Sequence, residues 1–288
     1  MYLLLAVPCL LILVFSYLPM FGIVIAFQEY NIFKGFLGSP FVGLDVFMEI
    51  FRMKNFWQAL RNTLVLNGLN LVIGFPAPII LALLLNELQS RGLKRVYQNI
   101  LYLPHFLSWV IIGYMALRLF SDNTGLVNVA FKRAGLQIVP FLSDKLSWIL
   151  TYQGISVWYS AGWGTIIYLS ALTGINPELY EAAEVDGAGR WAKIRHITIP
   201  GISSTMIILL ILQVGKIVNI GFEQPYILSN RLIQDVSDVI STFVYRIGIQ
   251  SGRYNVGTAV GLFQSAVGLV FLLGTNAVAR RFGETGIW

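Results

Sequence analysis

Six runs of mostly apolar residues, at roughly 3–27, 62–86, 99–120, 148–172, 203–228 and 257–279, decide what this chain can fold into. A helix crosses the hydrocarbon core with about 20 such residues. The bilayer offers no water to backbone amides, so only helices and closed barrels span it. These runs are too long and too continuous for barrel strands, which alternate over about ten residues. The expected architecture is an all-α polytopic membrane protein with six transmembrane helices, forming a single transmembrane domain over 1–288. Composition agrees, because 56% hydrophobic and 12% charged residues leave little polar surface for a soluble chain of 288 residues. The first run lacks a basic leading region and a small-x-small cleavage site, so it reads as a retained helix.

A formal charge of +6 suits a membrane protein with basic loops, and no dense Lys/Arg stripe points to nucleic acid. The sole cysteine, Cys9, excludes an intrachain disulfide and a Cys-based metal cluster. Arg91, Lys94 and Arg95, then Arg190, Lys193 and Arg195, then Arg280 and Arg281 fall on one side of a six-helix chain. The other side carries a similar number, spread more thinly. Density near the membrane favours the first set as cytoplasmic. On the other face, Val236, Ile240, Phe243, Val244 and Ile247 at helical spacing predict a helix lying flat at the interface. A second surface helix is expected within 28–58, and a third after the turn at Asn123, Thr124 and Gly125.

The connection at 174–202 is a charged, helix-prone island in this apolar sequence. Asn176-Pro177 supplies an N-cap followed by proline at the first helical position. Glu178 and Glu181 sit favourably against the helix dipole. Ala182 and Ala183 keep the helix slim, and Gly187 and Gly189 let the chain reverse. A second short helix carries Arg190, Lys193 and Arg195, and Pro200 marks the start of the fifth span. Acidic then basic, this pair reads as a docking knob for a soluble partner. An interfacial connector with no partner is the alternative.

The spacing Glu181-Ala182-Ala183, then Gly187, then Ile197-x-Ile199-Pro200 resembles the EAA signature of binding-protein-dependent ABC importer permeases. Asp186-Gly187-Ala188 follows its common form. Ile199 replaces the usual Leu, and Ile194 stands where many members have an aromatic residue. Asn62-Thr63, Leu103-Pro104, Gly125-Leu126-Val127-Asn128, Gly221-Phe222 and Pro225-Tyr226 are similar to maltose-type sugar permeases. The tail Gly283-Glu284-x-Gly286-x-Trp288 is similar to a subgroup handling polysaccharides or oligosaccharides. The resemblance implies a type I importer permease fold in the bacterial cytoplasmic membrane. It also implies that Glu181, Ala182, Ala183, Asp186, Gly187 and Pro200 belong to the loop that couples to an ATPase. The implied companions are a second similar permease, two cytoplasmic ATPase subunits using ATP and Mg, and an extracytoplasmic solute-binding protein with a carbohydrate substrate.

No G-x-x-x-x-G-K-[ST] loop occurs, so ATP hydrolysis is expected in a separate polypeptide. His105 and His196 have no acidic partner at ligand spacing, so no metal site is expected. No Ser-His-Asp order or nucleophile elbow appears, and the chain reads as a transport subunit, not an enzyme. Basic heads at the membrane surface suit lipid phosphate.

Polar residues inside spans often mark a pathway. Lys216 and Glu223, about two turns apart on the expected fifth helix, share a face with Gln213 and Asn219 nearby. They read either as a stripe bonding sugar hydroxyls or as an ion pair fixing helix packing. Trp158, Tyr159 and Trp163 in the fourth span and Gln264 in the sixth are further pathway candidates, whereas Trp109 and Trp148 read as interfacial belt residues. Gly68, Gly74, Gly113, Gly164, Gly261 and Gly268 read as sites of close helix packing. The same machinery could carry glycerol phosphates or amino acids. An ion-coupled secondary transporter would need carboxylates deep in several spans and an internal repeat, and only Glu223 qualifies.

Overall fold

A computed structural model describes residues 2–281 and 286, and side-chain surroundings from residue 5 onward. The tail glycines and tryptophan singled out above, Gly286 apart, lie outside the described residues. Among them the regular structure is helical, apart from one antiparallel bridge between Gln28 and Phe41. Three helices have the length and apolarity to cross a membrane: α1 (Leu5–Phe27), α3 (Lys54–Asn86) and the last helix, Tyr254–Arg281. The amphipathic α2 (Asp45–Arg52) precedes α3 and buries Val46 and Ile50, as its spacing predicts. Wide, π-type turns at Leu13–Tyr17, Asn70–Gly74 and Ile194–Thr198 come just before Pro19, Pro76 and Pro200. Proline has no N–H and its ring crowds the carbonyl of the previous turn, so the ladder loosens there.

Two expected spans are broken. Residues 99–120 do not form one helix: α4 (Arg91–Phe106) meets α5 (Trp109–Phe120) at 100°. Pro104 weakens the end of α4, and Ser108 starts α5 by accepting the Ile111 N–H at 3.4 Å. The short α6 (Leu126–Arg133) follows the expected turn. Residues 203–228 do not form one helix either. After α7 (Lys145–Thr173), α8 (Pro177–Val185) and α9 (Arg190–Gly201), the chain bends 60° into α10 (Ser203–Gly215), which stops. Seven residues later, after the irregular stretch 216–222, it resumes as α11 (Glu223–Leu228). With each bent pair counted as one span, up to five segments have the length and apolarity to cross.

The remaining expected span, α7, is long enough at 29 residues but rich in Ser, Thr and Gly. It buries Gln153 and Thr165 against its neighbours, and a helix wrapped by others tolerates this polarity. Its N-cap Asp144 accepts the Ser147 N–H and hydroxyl, both at 3.0 Å. The backbone bond from Ser147 is the main reason the Asp144 carboxyl lies below its ordinary value of 3.8.

The apolar stripe at 236–247 does not lie on the membrane surface. It forms α12 (Ile240–Val244) with a following wide turn; Ile240 and Phe243 are buried in the core with Phe56 and Val256, and Val239 is buried in a neighbouring cluster with Leu66 and Trp148. Each such side chain contributes roughly 2–3 kcal/mol by leaving water, more than interfacial immersion could return. The final helix, α13 (Tyr254–Arg281), packs closely on α10. A Cβ at Gly268 would approach the Gly215 carbonyl to 2.7 Å, and one at Gly164 would meet Pro78 at 2.9 Å. Gly113 is likewise blocked by Ile227, and Gly74 only by its own helix's Asn70, while Gly68 and Gly261 face open space. Gly162, which carries no sequence signal, sits against the Leu101 carbonyl with no room for a side chain.

Candidate coupling knob and polar cavity

The charged island folds much as its residues dictate. Asn176 accepts the Glu178 N–H at 3.1 Å and starts α8. At its end the Ala188 N–H reaches back to Ala183 at 2.8 Å, and Gly187 takes φ +74°. That conformation is left-handed, and glycine adopts it without the strain that a Cβ brings. Lys193 bonds Glu184 at 3.1 Å, clasping α8 to α9, and Tyr180 bonds Thr198 at 3.0 Å. Glu181, Ala182, Asp186 and Gly187 are exposed, and Ala183 is half-buried. Val185 and Trp191 stand 89% and 83% exposed on the same knob. Pro200 lies inside α9, one residue before the bend into α10.

At the far end of α10 the backbone of 216–222 is unwound. Irregular backbone at membrane depth needs partners from protein or a wet cavity. Asn67 donates to the carbonyls of Ile217 and Asn219 at 2.7 and 3.1 Å. Gln264 donates to Val218 at 2.7 Å, and Ser241 to Gly221 at 3.2 Å. Gln213 reaches Asn70 at 3.1 Å, and Asn70 reaches Ser156 at 3.4 Å. Gln224 secures the restart of the chain on the Tyr152 carbonyl at 3.0 Å.

This unwound segment forms one wall of a cavity of about 440 Å³. Asn219 and Phe222 of that segment face Asn67 and Asn70 of α3, Trp109 of α5, and Ser156, Tyr159 and Ser160 of α7, with Glu223 and Gln224 of α11 beside them and Leu66 and Tyr152 adding apolar area. Tyr159 and Trp109 lie ring to ring at 4.3 Å. Aromatic faces beside amide and hydroxyl edges offer stacking area together with hydrogen-bond donors and acceptors.

Of the residues singled out from sequence, the structure brings Tyr159, Asn219 and Glu223 into this cavity. It does not bring Trp158, which lies a helical step away and faces an apolar groove with Met115, Phe120 and Phe141. Trp163 stacks on His105 at 4.6 Å, outside the lining. Lys216 and Glu223 do not share a helical face, because α10 ends at Gly215. Neither takes part in an ion pair among the described residues. Gln264 braces backbone and does not line the cavity. Two tryptophans read as belt residues are not: Trp148 is fully buried and donates to the Leu228 carbonyl at 2.9 Å, and Trp109 lines the cavity. Asn67, Asn70, Ser156 and Ser160 line the cavity without having been among the sequence candidates, although Asn67/Asn70 and Ser156/Ser160 recur at helical spacing in otherwise apolar runs.

An all-helical membrane fold with an exposed, clasped knob between two helices and a broken helix at a polar cavity defines a transporter permease subunit. Residues 74–284 match the "Binding-protein-dependent transport system inner membrane component" family, and the chain belongs to that family. It is 44% identical over 291 residues to "Protein LplB" of Bacillus subtilis (strain 168), covering 100% of this chain and 91% of that protein. It is also 44% identical to the "Polygalacturonan/rhamnogalacturonan transport system permease protein YteP" of the same strain, covering 100% and 90%. Among solved structures it is similar to a chain of a bacterial ABC transporter involved in the import of the acidic polysaccharide alginate. That match has TM-score 0.89 and 40% identity, and covers 97% of this chain and 94% of the other. A second match is to the bacterial alginate ABC transporter in complex with its alginate pentasaccharide-bound periplasmic protein (TM-score 0.90, 40% identity, 99% and 96% covered).

Proposed function

We propose that this chain is one of two membrane subunits of an ATP-driven importer of oligo- or polysaccharide, placed in the bacterial cytoplasmic membrane with the knob inside. The observation that carries the reading is mechanical: knob and cavity sit at opposite ends of one continuous path through α9 and α10. Thirteen residues of α10 span about 20 Å, a stiff rod between the 60° bend and the unwound segment. A partner ATPase that binds ATP and Mg would seat Glu181, Ala182, Ala183, Asp186 and Gly187, with Val185 and Trp191 as apolar anchors. Closing of that socket swings α8 and α9 together, because Lys193–Glu184 and Tyr180–Thr198 clasp them. Pro200, beside the bend, lets the motion enter α10 as a change of angle.

The cavity then opens toward the solute-binding protein or away from it. Tyr159 and Trp109 offer faces to sugar C–H surfaces, and Asn219, Ser156, Ser160 and Glu223 offer edges to hydroxyls. Trp158, Trp163 and Lys216 lie off this route, and Gln264 holds the wall. A second, similar permease would complete the passage, and lipid would cover α1. The decisive experiment is co-purification of the tagged chain from its native membrane, with identification of its partners and an ATPase assay. A second permease and an ATPase should be recovered, with hydrolysis stimulated by sugar-loaded binding protein and lost on substitution of Glu181 and Gly187. Stimulation by glycerol phosphates or amino acids instead would overturn the carbohydrate cargo, and a lone chain would overturn the assembly.

A further inference from the structure

At the end of the molecule opposite the knob, a second polar hollow of about 300 Å³ lies between α11 and α12. Its position is fixed by Trp148, in the first turns of α7, bonding Leu228 and by Asn230 bonding the Leu142 carbonyl just before that helix at 2.6 Å. Three rings join it to the central cavity. Phe222, in the cavity wall, lies 4.7 Å from Tyr226 and 4.9 Å from Tyr245, and those tyrosines line the hollow.

The chemistry of the two chambers differs. Glu223 is the one ionisable side chain with a formal charge at neutral pH in the central lining. The hollow holds Arg231, Arg246 and Asp238. Arg246 is spent on Asp238 in a two-pronged bond at 3.0 and 2.6 Å, and Thr242 adds a third bond to that carboxylate at 2.8 Å. Arg231 is exposed and joins no ion pair among the described residues, so the hollow keeps one unopposed positive charge. Ser237 is fully buried, lines the hollow, and its hydroxyl has no hydrogen-bond partner. A buried hydroxyl without a partner is costly, and one bordering a polar hollow is suited to a ligand's oxygen.

We infer that this hollow is an outer subsite for an acidic sugar unit of the transported chain. Arg231 faces the carboxylate, Ser237 meets a ring hydroxyl, and Tyr226 and Tyr245 guide the adjoining sugar toward Phe222. Arginine's planar fork matches a carboxylate in two bonds, which lysine cannot reproduce fully. Anion preference contributed by this chain then resides at the outer mouth and not in the cavity beside Glu223. The inference rests on the carbohydrate-import reading above.

The test uses the whole complex in lipid nanodiscs without binding protein, with trigalacturonate and its carboxyl-reduced neutral counterpart as probes. Arg231→Gln should weaken trigalacturonate binding on the order of tenfold, the size of one charge-assisted bond. Arg231→Lys should restore part of it, and the neutral trisaccharide should bind all three forms alike. Equal weakening of both probes, or no change in either, overturns the subsite. An Arg231→Gln complex that binds trigalacturonate normally but is poorly stimulated by loaded binding protein would assign the arginine to protein docking and also overturn it. ATPase that no carbohydrate-loaded binding protein stimulates, in wild type as well, would remove the import reading itself.

Discussion

The two ends of α10 are built by opposite means. At one end, the knob is organised by bonds between near neighbours: Asn176 with Glu178, Gly187 with Glu184, Lys193 with Glu184. At the other, the unwound segment 216–222 is held by side chains from remote helices, with Asn67 bonding Ile217 across 150 positions and Gln264 bonding Val218 across 46. A surface that must fit a partner needs a fixed local shape, which short-range capping supplies. A wall that must move while remaining inside a membrane needs its backbone satisfied without a helix, and only other helices can do that.

The largest effect should follow from breaking the local code. Gly187 has φ +74° and open space around a would-be Cβ, so Gly187→Val meets backbone strain and not a clash. A β-branched residue is a genuine outlier there, whereas asparagine tolerates it. Gly187→Val should abolish sugar-stimulated ATPase and transport while membrane levels stay normal, and Gly187→Asn should retain part of both. Loss of the protein from the membrane would mean that the turn serves folding alone. Second comes the remote code. Asn67→Leu strips donors from two carbonyls, at about 1–3 kcal/mol for each group left unpaired. It should lower the unfolding midpoint and uncouple sugar from ATPase stimulation while the ATPase still co-purifies. Gln264→Leu, which frees one carbonyl, should do about half as much. If both variants were as stable as wild type, water would be replacing the amides and the cavity would be wetter than its protein partners require.

Legibility in the sequence follows the same division. Asn176-Pro177 and Gly187 announce their roles because capping and left-handed turns are decided within a few residues. The expected fifth helix fails because nothing local distinguishes a helix that stops at Gly215 from one that continues. The reason lies in donors far away in sequence. Trp148 misleads in the same way: an indole near a span end reads as interfacial, yet the Leu228 carbonyl, 80 positions on, draws it into the core. The 236–247 stripe was periodic as expected, but periodicity gives a face and not its partner, and the partner is Phe56 with the final helix. The aromatic-amide character of the site was half visible. Tyr159, Asn219 and Glu223 lay among the candidates, and Asn67 and Asn70 stood in plain view at helical spacing.

The smallest effect concerns a second local device, the Asp144 cap of α7, which lies on the outer side in the proposed orientation. Its carboxylate accepts both the Ser147 N–H and hydroxyl, and the folded protein therefore holds its pKa below 3.8. A carboxyl depressed in the folded state stabilises the fold above its unfolded pKa, and that contribution is lost as pH falls through the folded value. The group is fully exposed, so water and salt screen it and the contribution is minor. The protection of amides in the first turn of α7, taken relative to their intrinsic exchange rate at each pH, should fall below about pH 4 in wild type. Asp144→Asn keeps an acceptor for the cap but has nothing to titrate, so the protection of the same amides should be unchanged between neutral and acid pH. Acid sensitivity that persists in Asp144→Asn would transfer the effect to the neighbouring Lys145–Asp235 pair at 2.5 Å. That result would make even the start of this helix depend on remote partners and narrow the contrast between the two ends of the molecule.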